Sequence, residues 1–195
     1  MSKIILASKS PRRKEILNQV GIDFEIVVSD KDEELTTDIP SDIVQELSRQ
    51  KAEDVQNKVK DSDYIIIAAD TVVAVDDNIL GKPKDKDDAF NMIKLIEGRN
   101  HSVYTGVTLL KKDRENVTIR TFYEETVVEV YPMTEEEIYR YLDFNQWEDK
   151  AGGYGIQGSF AAYVKAIKGD YYTVVGLPIS RIIYEMKVNG KPCVP

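Results

Sequence analysis

The hydrophobic residues among the first 75 positions of the chain follow strand and helix spacings in turn. Ile4–Ala7 is a short apolar run that predicts a buried strand. Ser10 and Pro11 then predict the start of a helix, because serine suits the N-cap and proline suits the first helical position. Tyr64–Ala69 is the strongest strand signal, a continuous apolar run typical of a central strand covered on both faces, and Val72–Val75 follows it closely.

Helical and extended patterns alternate along the rest of the chain. Ser41 predicts the cap of a long amphipathic helix, Thr134 and Glu137 form a capping box, and Lys168-Gly169-Asp170 is a tight hairpin signal. Further helices are predicted at 89–96 and 179–188, and further strands at 24–28, 103–110, 117–130, 160–167 and 171–175. Because crossover helices and hairpins both occur, we expect an α/β fold with a mixed sheet. No linker-like stretch marks a boundary, so we expect one domain over residues 1–195.

Charge and cysteine content exclude several classes of partner and site. The chain has 26 Lys and Arg against 34 Asp and Glu, a net charge of −8, which argues against a nucleic-acid polymer or an anionic membrane as the main partner. Cys193 is the one cysteine, so an internal disulfide and a multi-cysteine zinc site are excluded. The longest apolar run is too short to cross a bilayer, and we predict a reduced, cytoplasmic protein.

Two arginines lie in the first turn of the first predicted helix, where their positive charge is electrostatically unfavourable. Arg12 and Arg13 lie where the helix dipole already places partial positive charge. Their presence is explained if a polyphosphate occupies the space in front of them, since free backbone N–H groups and guanidinium groups both bind phosphate. The alternative is a solvated pair whose head groups point away from the helix end.

A carboxylate and a lysine extend this hypothesis. Asp70 falls where the buried strand is predicted to end, and there it can hold Mg²⁺ or accept a proton from water; the alternative is a turn aspartate that binds its own backbone. Lys82 lies between Gly81 and Pro83, which suits a phosphate contact, although this tripeptide is a weak signal. We therefore expect Arg12 and Arg13 to face a polyphosphate, opposite Asp70.

The segment Asp149–Gly158 is the most glycine-rich part of the chain. Four of its ten residues are glycine, which permits close backbone approach to a ligand or tight turns, but the spacing is not that of a P-loop. Gln157 offers an amide donor and acceptor that can meet a pyrimidine or, equally, the backbone. His101 is interpreted as structural, and Trp147 as a loop or interface tryptophan, the alternative being stacking on a base. With one histidine and no nucleophile elbow, serine hydrolase chemistry is poorly supported.

These motifs together resemble the Maf family of nucleoside triphosphate pyrophosphatases. The resemblance runs in family order over essentially the whole chain, and it rests on residues 6–13, 69–73, 81–83, 149–158 and 175–178. It implies an elongated, two-lobed fold related to the inosine triphosphate pyrophosphatases, with a central cleft and commonly a homodimer. It also implies cleavage of a nucleoside triphosphate to the monophosphate and pyrophosphate, with Mg²⁺ or Mn²⁺.

The resemblance also implies roles for particular residues. Asp70 matches the proposed proton acceptor. Apart from the resemblance, the acidic run 30–34 is interpreted as a solvated loop or as the source of a metal-facing carboxylate from Glu33 or Glu34, and we expect Glu33 and Asp70 to hold the metal. Positions linked to substrate choice are matched by Arg12, Thr71 and Gln157, and further polar positions of the cleft by Ser8, Arg13, Glu33, Lys51 and Lys82. The Gly155–Gly158 ending is similar to that of the branch acting on dTTP and UTP.

Two alternatives remain beside this assignment, and the sequence departs from the family at one point. Many relatives carry a Gly-Glu-Pro type sequence where this chain has Asn145-Gln146-Trp147, so a charge is lost in that loop. One alternative is a nucleotide-binding regulator without catalysis, since the family name comes from an effect on septum formation. The other is a pyrophosphatase with a different base preference, including modified nucleotides.

Overall fold

The computed structural model describes residues 2–76 and 78–188 and gives an α/β chain. Its strands are β1 Lys3–Leu6, β2 Glu25–Ile26, β3 Asp63–Val75, β4 Asn78–Leu80, β5 Asn100–Asp113, β6 Asn116–Val130 and β7 Val164–Lys168. Its helices are α1 Pro11–Gln19, α2 Pro40–Lys58, α3 Lys86–Ile96, α4 Glu135–Leu142, α5 Tyr171–Val175 and α6 Ile179–Val188, and short 3-10 turns lie at Ala151–Gly153 and Ser159–Ala162.

The strands form one mixed sheet, as the sequence predicts. The order is β2-β1-β3-β5-β6-β7, with β4 paired to β3 outside this path. β1 pairs in parallel with β2 and β3, whereas the β3–β4 and β6–β7 pairs are antiparallel. The parallel pairing explains why Tyr64–Ala69 is a continuous apolar run, since helices and loops cover both faces of such strands.

The chain divides into two compact units, each with its own buried core. Of the described residues, those within 1–70, 105–124 and 176–195 form the first unit, and those within 71–104 and 125–175 form the second. In the first unit, α2 packs on strand residues through Ala52 and Val55, which are completely buried with Ile66 and Ala68. In the second unit, the core is built from α3, α4 and strand residues around Phe160, which is also completely buried.

Strand β3 is longer than the sequence predicts, and this corrects the position of Asp70. We expected the buried strand to end at Asp70, but β3 continues through Asp70 and Thr71 to Val75 without a break. The two apolar runs on either side therefore form one strand with two polar residues inside it. Asp70 is thus held by extended backbone on both sides, not by a terminal turn.

Three other local predictions are corrected. Helix α2 begins at Pro40 with Ile39 as its N-cap, so Ser41 lies inside the helix. The strand predicted at 24–28 is limited to Glu25–Ile26. The hairpin predicted around Lys168-Gly169-Asp170 is a strand-to-helix turn, because the side chain of Asp170 accepts from the backbone N–H of Thr173 at 2.9 Å and starts helix α5.

Other predictions are confirmed by the structure. Thr134 and Glu137 form the expected capping box at α4, and α6 has the expected bounds. Ser10 is the N-cap residue of α1 with Pro11 at the first helical position, although the Ser10 side chain makes no capping hydrogen bond. Within the described residues, no helix combines the length and apolar character needed to span a membrane. Cys193 lies outside the described residues.

Candidate active site

The turn between β1 and α1 folds around the hydroxyl group of Ser8. Ser8 is 8% exposed, and its Oγ accepts from the backbone N–H of Ser10 at 3.2 Å and from Nη1 of Arg13 at 3.1 Å. A serine hydroxyl has two acceptor positions and one proton to donate, so both acceptor positions are engaged. The turn that was predicted to bind phosphate is therefore held in shape by its own side chains.

Arg13 connects this turn to the strand that carries Asp70. Its Nη1 donates to the carbonyl oxygen of Ala69 at 2.8 Å, and its Nε donates to that of Gly176 at 2.8 Å. Burial lowers the pKa of the guanidinium, the negative charge of Asp70 raises it, and the positive charge of Arg12 lowers it. The structure thus brings Arg13 close to Asp70, and the backbone contacts fix the residue immediately before Asp70.

Asp70 shares the ammonium group of Lys51 with Glu33. Lys51 Nζ forms an ion pair with Asp70 Oδ1 and lies 2.9 Å from Glu33 Oε1. The side chains of Lys51 and Asp70 are only 20% and 15% exposed, whereas that of Glu33 is 53% exposed. Ion pairs of low exposure are less screened by salt and solvent than surface pairs. Two carboxylates and one cation are therefore concentrated at one point of the first unit.

Lys51 reaches this point from the inward side of helix α2. Val44, Leu47, Ser48 and Val55 are buried at helical spacing, and Lys51 falls on the same stripe. The pattern of residues did not single out Lys51, which entered only through the resemblance to a family. The signal that identifies it is a lysine on the apolar stripe of an amphipathic helix, because an ammonium group in that place needs a buried partner.

The carboxylates of Asp70 and Glu33 fit a divalent cation, because their oxygens already converge on one positively charged group. Mg²⁺ is commonly held by one or two carboxylates together with substrate phosphates. Among residues 2–76 and 78–188, no group of three or more His, Cys, Asp and Glu side chains is arranged to hold a metal ion. The protein supplies two carboxylates at this point, and further oxygen ligands have to come from a substrate or from water.

The glycine-rich segment of the second unit is fixed by close contacts with two other segments. The backbone N–H of Gly152 donates to the carbonyl oxygen of Gly81 at 2.9 Å. Gly152 has φ of 69°, and a Cβ atom there would lie 2.9 Å from the Val73 side chain, so glycine is required by conformation and by space. These contacts hold the segments that carry Thr71, Lys82 and Gln157 in one unit.

The three residues predicted for substrate binding in this unit differ in exposure. Lys82 and Gln157 are exposed, and Thr71 is half-buried. Lys82 is the residue after Gly81, whose carbonyl binds Gly152, and Gln157 lies in the turn between the two 3-10 segments. The exposed amide and ammonium groups are thus presented by backbone that is anchored close by.

The segment Asn145-Gln146-Trp147, which differs from the sequence of many relatives, makes contacts that support the fold. Gln146 Oε1 accepts from the backbone N–H and the hydroxyl of Ser159 at 2.9 and 3.1 Å, just after Gly158. Trp147 is 7% exposed and donates from Nε1 to the carbonyl oxygen of Leu142 at 3.0 Å. Trp147 is therefore a buried loop tryptophan, and Gln146 supports the end of the glycine-rich segment.

The comparison with known families covers almost the whole chain. Residues 3–188 match the family model described as Maf-like protein. The chain belongs to the Maf family. The dTTP/UTP pyrophosphatase of Agathobacter rectalis is 48% identical to this Maf protein, and the match covers 97% of the present chain and 98% of the relative. That of Lachnoclostridium phytofermentans is 51% identical over 97% of this chain and 96% of the relative.

A solved structure is more distantly similar to this Maf protein. The Staphylococcus aureus Ham1 protein is 15% identical, covers 66% of this chain and 71% of its own, and has a TM-score of 0.43. In this Maf protein, the residues predicted for the site form two groups, Ser8, Arg12, Arg13, Glu33, Lys51 and Asp70 in the first unit and Thr71, Lys82 and Gln157 in the second.

Proposed function

We propose that this Maf protein is a nucleoside triphosphate pyrophosphatase that hydrolyses dTTP and UTP to the nucleoside monophosphate and pyrophosphate. The observation that carries the proposal is the position of Asp70, which is held by Lys51 and lies beside Arg13 and the carbonyl-anchored Ala69. The substrate assignment is supported by relatives that are named dTTP/UTP pyrophosphatase and are 48% and 51% identical in sequence over nearly their full length.

Asp70 is the proposed proton acceptor for the attacking water. Lys51 binds Oδ1 of Asp70, so a water molecule can be held by Oδ2. The water oxygen forms a bond to the α-phosphorus, the bond from the α-phosphorus to the bridging oxygen breaks, and pyrophosphate leaves with that oxygen. The proton of the water passes to the carboxylate, which is general base catalysis.

The positive charges of the first unit are the proposed binding groups for the phosphates. Arg12 and Arg13 lie in the first turn of α1, where free backbone N–H groups add to their charge. Lys51 supplies an ammonium group beside Asp70, Ser8 supplies a hydroxyl group that contacts Arg13, and in the second unit Lys82 supplies an exposed ammonium group. Such fixed cations stabilise the charge that develops on a leaving pyrophosphate.

A divalent cation is part of the proposal. Glu33 and Asp70 are the residues that would hold Mg²⁺ or Mn²⁺, which neutralises phosphate charge when bound. The residues of the chain retain their own tasks, because Arg13 fixes Ala69 and Lys51 fixes both carboxylates. Thr71 and Gln157 are the proposed contacts for substrate choice, with the amide of Gln157 meeting the base.

The test of this function is incubation with a panel of nucleoside triphosphates and Mg²⁺, with pyrophosphate and orthophosphate measured separately. From both dTTP and UTP, we expect one pyrophosphate for each nucleoside monophosphate. We expect slower release of pyrophosphate from CTP and the purine nucleotides. Release of orthophosphate would assign a different phosphoryl cleavage. Saturable binding of UTP without turnover would favour a regulator.

Assembly and location follow as smaller proposals. We propose a homodimer, as the family resemblance implies, and a cytoplasmic location, as the single cysteine implies. Light scattering coupled to size-exclusion chromatography tests the first of these, with the mass of two 22.2 kDa chains expected. A mass of one chain would overturn it.

A further inference from the structure

A buried histidine and a buried tyrosine form a pair inside the second unit. His101 is the second residue of β5 and is 3% exposed, and Tyr154 is 5% exposed. His101 Nε2 lies 2.7 Å from the hydroxyl oxygen of Tyr154, and the rings meet edge to face. Among the described residues, His101 Nδ1 has no hydrogen-bond partner. The imidazole therefore makes one polar contact, and that contact is to Tyr154.

Tyr154 belongs to the glycine-rich segment, three residues before Gln157. Gly152 and Gly153 come just before it with φ of 69° and 72°, a conformation that glycine adopts readily. The carbonyl oxygen of Gly153 accepts from the Tyr141 hydroxyl at 3.2 Å. The segment is therefore anchored at Gly152, Gly153 and Tyr154 before it turns outward to Gln157.

The Tyr154 ring is also held by an aromatic neighbour. Its centroid lies 4.6 Å from that of Phe160, which in turn lies 5.0 Å from that of Tyr141. Apolar packing alone would keep the ring buried, but it leaves the hydroxyl group without a partner unless His101 is present. The hydrogen bond to His101 thus selects where the ring lies within the packed cluster.

Base selection makes strong demands on the position of this segment. A glutamine amide can rotate by half a turn, so that it matches either uracil or cytosine with the same two groups. A preference for uracil therefore requires polar groups beside the amide that cannot exchange donor and acceptor. The backbone N–H and C=O groups of the segment that carries Gln157 meet this requirement if that backbone is fixed relative to the base. An exposed side chain on loose backbone would bind both pyrimidines.

We propose that His101 and Tyr154 form a positioning pair that fixes the backbone of Gln157 and thereby sets the preference between pyrimidine bases. The pair contacts no substrate; it acts through the two residues, Gly155 and Ile156, that separate Tyr154 from Gln157. This inference rests on the proposed function, in which the amide of Gln157 meets the base. It assigns a role in specificity to a histidine that the sequence pattern assigned to structure alone.

The test uses His101→Phe, Tyr154→Phe and the double variant in the full-length protein. Each single variant leaves one buried polar group unpaired, whereas the double variant removes both and keeps two rings of similar size. We expect the single variants to lose thermal stability and the double variant to recover most of it. In all three, we expect the kcat/KM ratio of UTP over CTP to fall about tenfold, through KM for UTP, with kcat within about twofold.

A purely structural role predicts a different result for the double variant. If the pair only stabilises the core, the double variant recovers stability and also keeps the wild-type ratio of UTP over CTP, which overturns the proposal. Tyr64→Phe is the matched control, because Tyr64 is another tyrosine at 1% exposure but lies in the first unit. We expect that control to keep the ratio.

Two further measurements separate this inference from the proposed function. If Gln157→Ala loses the UTP preference and the double variant keeps it, the positioning role fails and the proposed function stands. If Gln157→Ala keeps the preference, base reading by Gln157 and the positioning role both fail. Hydrogen–deuterium exchange of residues 155–158 without nucleotide is independent of turnover: we expect faster exchange in the double variant, and unchanged exchange would overturn the positioning role.

Discussion

Nη1 of Arg13 donates to the carbonyl oxygen of Ala69 at 2.8 Å, so the first helix is tied to the residue before Asp70. Together with the Nε bond to Gly176, this contact uses the planar fork of the guanidinium. An arginine that the sequence suggested only as a phosphate ligand therefore also positions the proposed base. The position of Asp70 consequently depends on a side chain that enters from a different element.

Substitution of Arg13 by lysine tests this coupling. Lysine keeps the charge but lacks the planar fork, so its ammonium group cannot reproduce the separate Nε and Nη1 contacts with the two carbonyl oxygens. We expect Arg13→Lys to lose about 1–3 kcal/mol of unfolding free energy and to lower kcat at least tenfold. Urea unfolding and steady-state kinetics measure the two effects.

The matched control for that substitution is Arg49→Lys. Arg49 pairs with Glu53 on the surface of α2, with both side chains about half exposed. Surface pairs of this kind contribute about 0–1 kcal/mol, so we expect stability and kcat close to those of the wild type. Equal effects of the two substitutions would contradict a special role for Arg13.

We expect Lys51 to weaken the binding of a metal ion in the absence of substrate. Its ammonium group occupies the point on which Asp70 and Glu33 converge. Removal of that charge in Lys51→Met leaves two carboxylates without their cation, so we expect Mn²⁺ affinity without nucleotide to rise about tenfold. Electron paramagnetic resonance of free Mn²⁺ measures the affinity directly.

The control for Lys51 removes the same charge elsewhere. Lys165 pairs with one carboxylate, Glu129, at 2.7 Å, so Lys165→Met leaves a single carboxylate that makes a poor metal site. We expect Lys165→Met to bind Mn²⁺ as the wild type does. Weaker binding by Lys51→Met than by the wild type would show that Lys51 does not compete with the metal.

We expect the buried imidazole of His101 to make the free energy of unfolding depend on pH. Burial lowers the pKa of this one histidine of the chain from 6.5 to about 4. Between those values the unfolded state binds a proton that the folded state does not, so stability falls as the pH falls from 6.5 toward 4. The full loss is about 3 kcal/mol, on the basis of about 1.4 kcal/mol for each pKa unit.

His101→Phe is the comparison for this effect. Carboxylates titrate in both proteins, so the difference between their stability curves isolates the imidazole. We expect urea unfolding from pH 7 to pH 4 to show a flatter decline in the variant. Parallel curves would mean that His101 titrates in the folded protein much as it does in the unfolded chain.

The sequence was informative where local chemistry alone decides the structure. The capping box of Thr134 and Glu137 and the bounds of α6 follow from residues close together in the chain. The prediction of a hairpin at Lys168–Asp170 was wrong because the turn depends on a contact with a distant strand. A Cβ atom at Gly169 would lie 2.5 Å from the Thr126 hydroxyl, so this glycine serves close approach to β6, and the aspartate caps α5.

The proposed site was only partly accessible from the sequence for a similar reason. Asp70 stood out because a carboxylate follows directly on a buried apolar run, but its place inside β3 depends on pairing with distant strands. The ion pair of Lys51 with Asp70 joins residues from a helix and a strand, and the pattern within α2 alone does not reveal its partner. The contact of Tyr154 with His101 spans 53 positions and is visible only in the fold.

The central claim is that Asp70 takes the proton of the attacking water in a pyrophosphate-releasing enzyme. The most direct measurement is pyrophosphate release from UTP and dTTP by Asp70→Asn, which keeps the shape of the side chain and removes the base. We expect a loss of about 10²–10⁴-fold in kcat with the folded state retained, and no comparable loss in Asp143→Asn, whose carboxylate pairs with Lys86 on the surface. Release of pyrophosphate by Asp70→Asn at the wild-type rate would contradict the account.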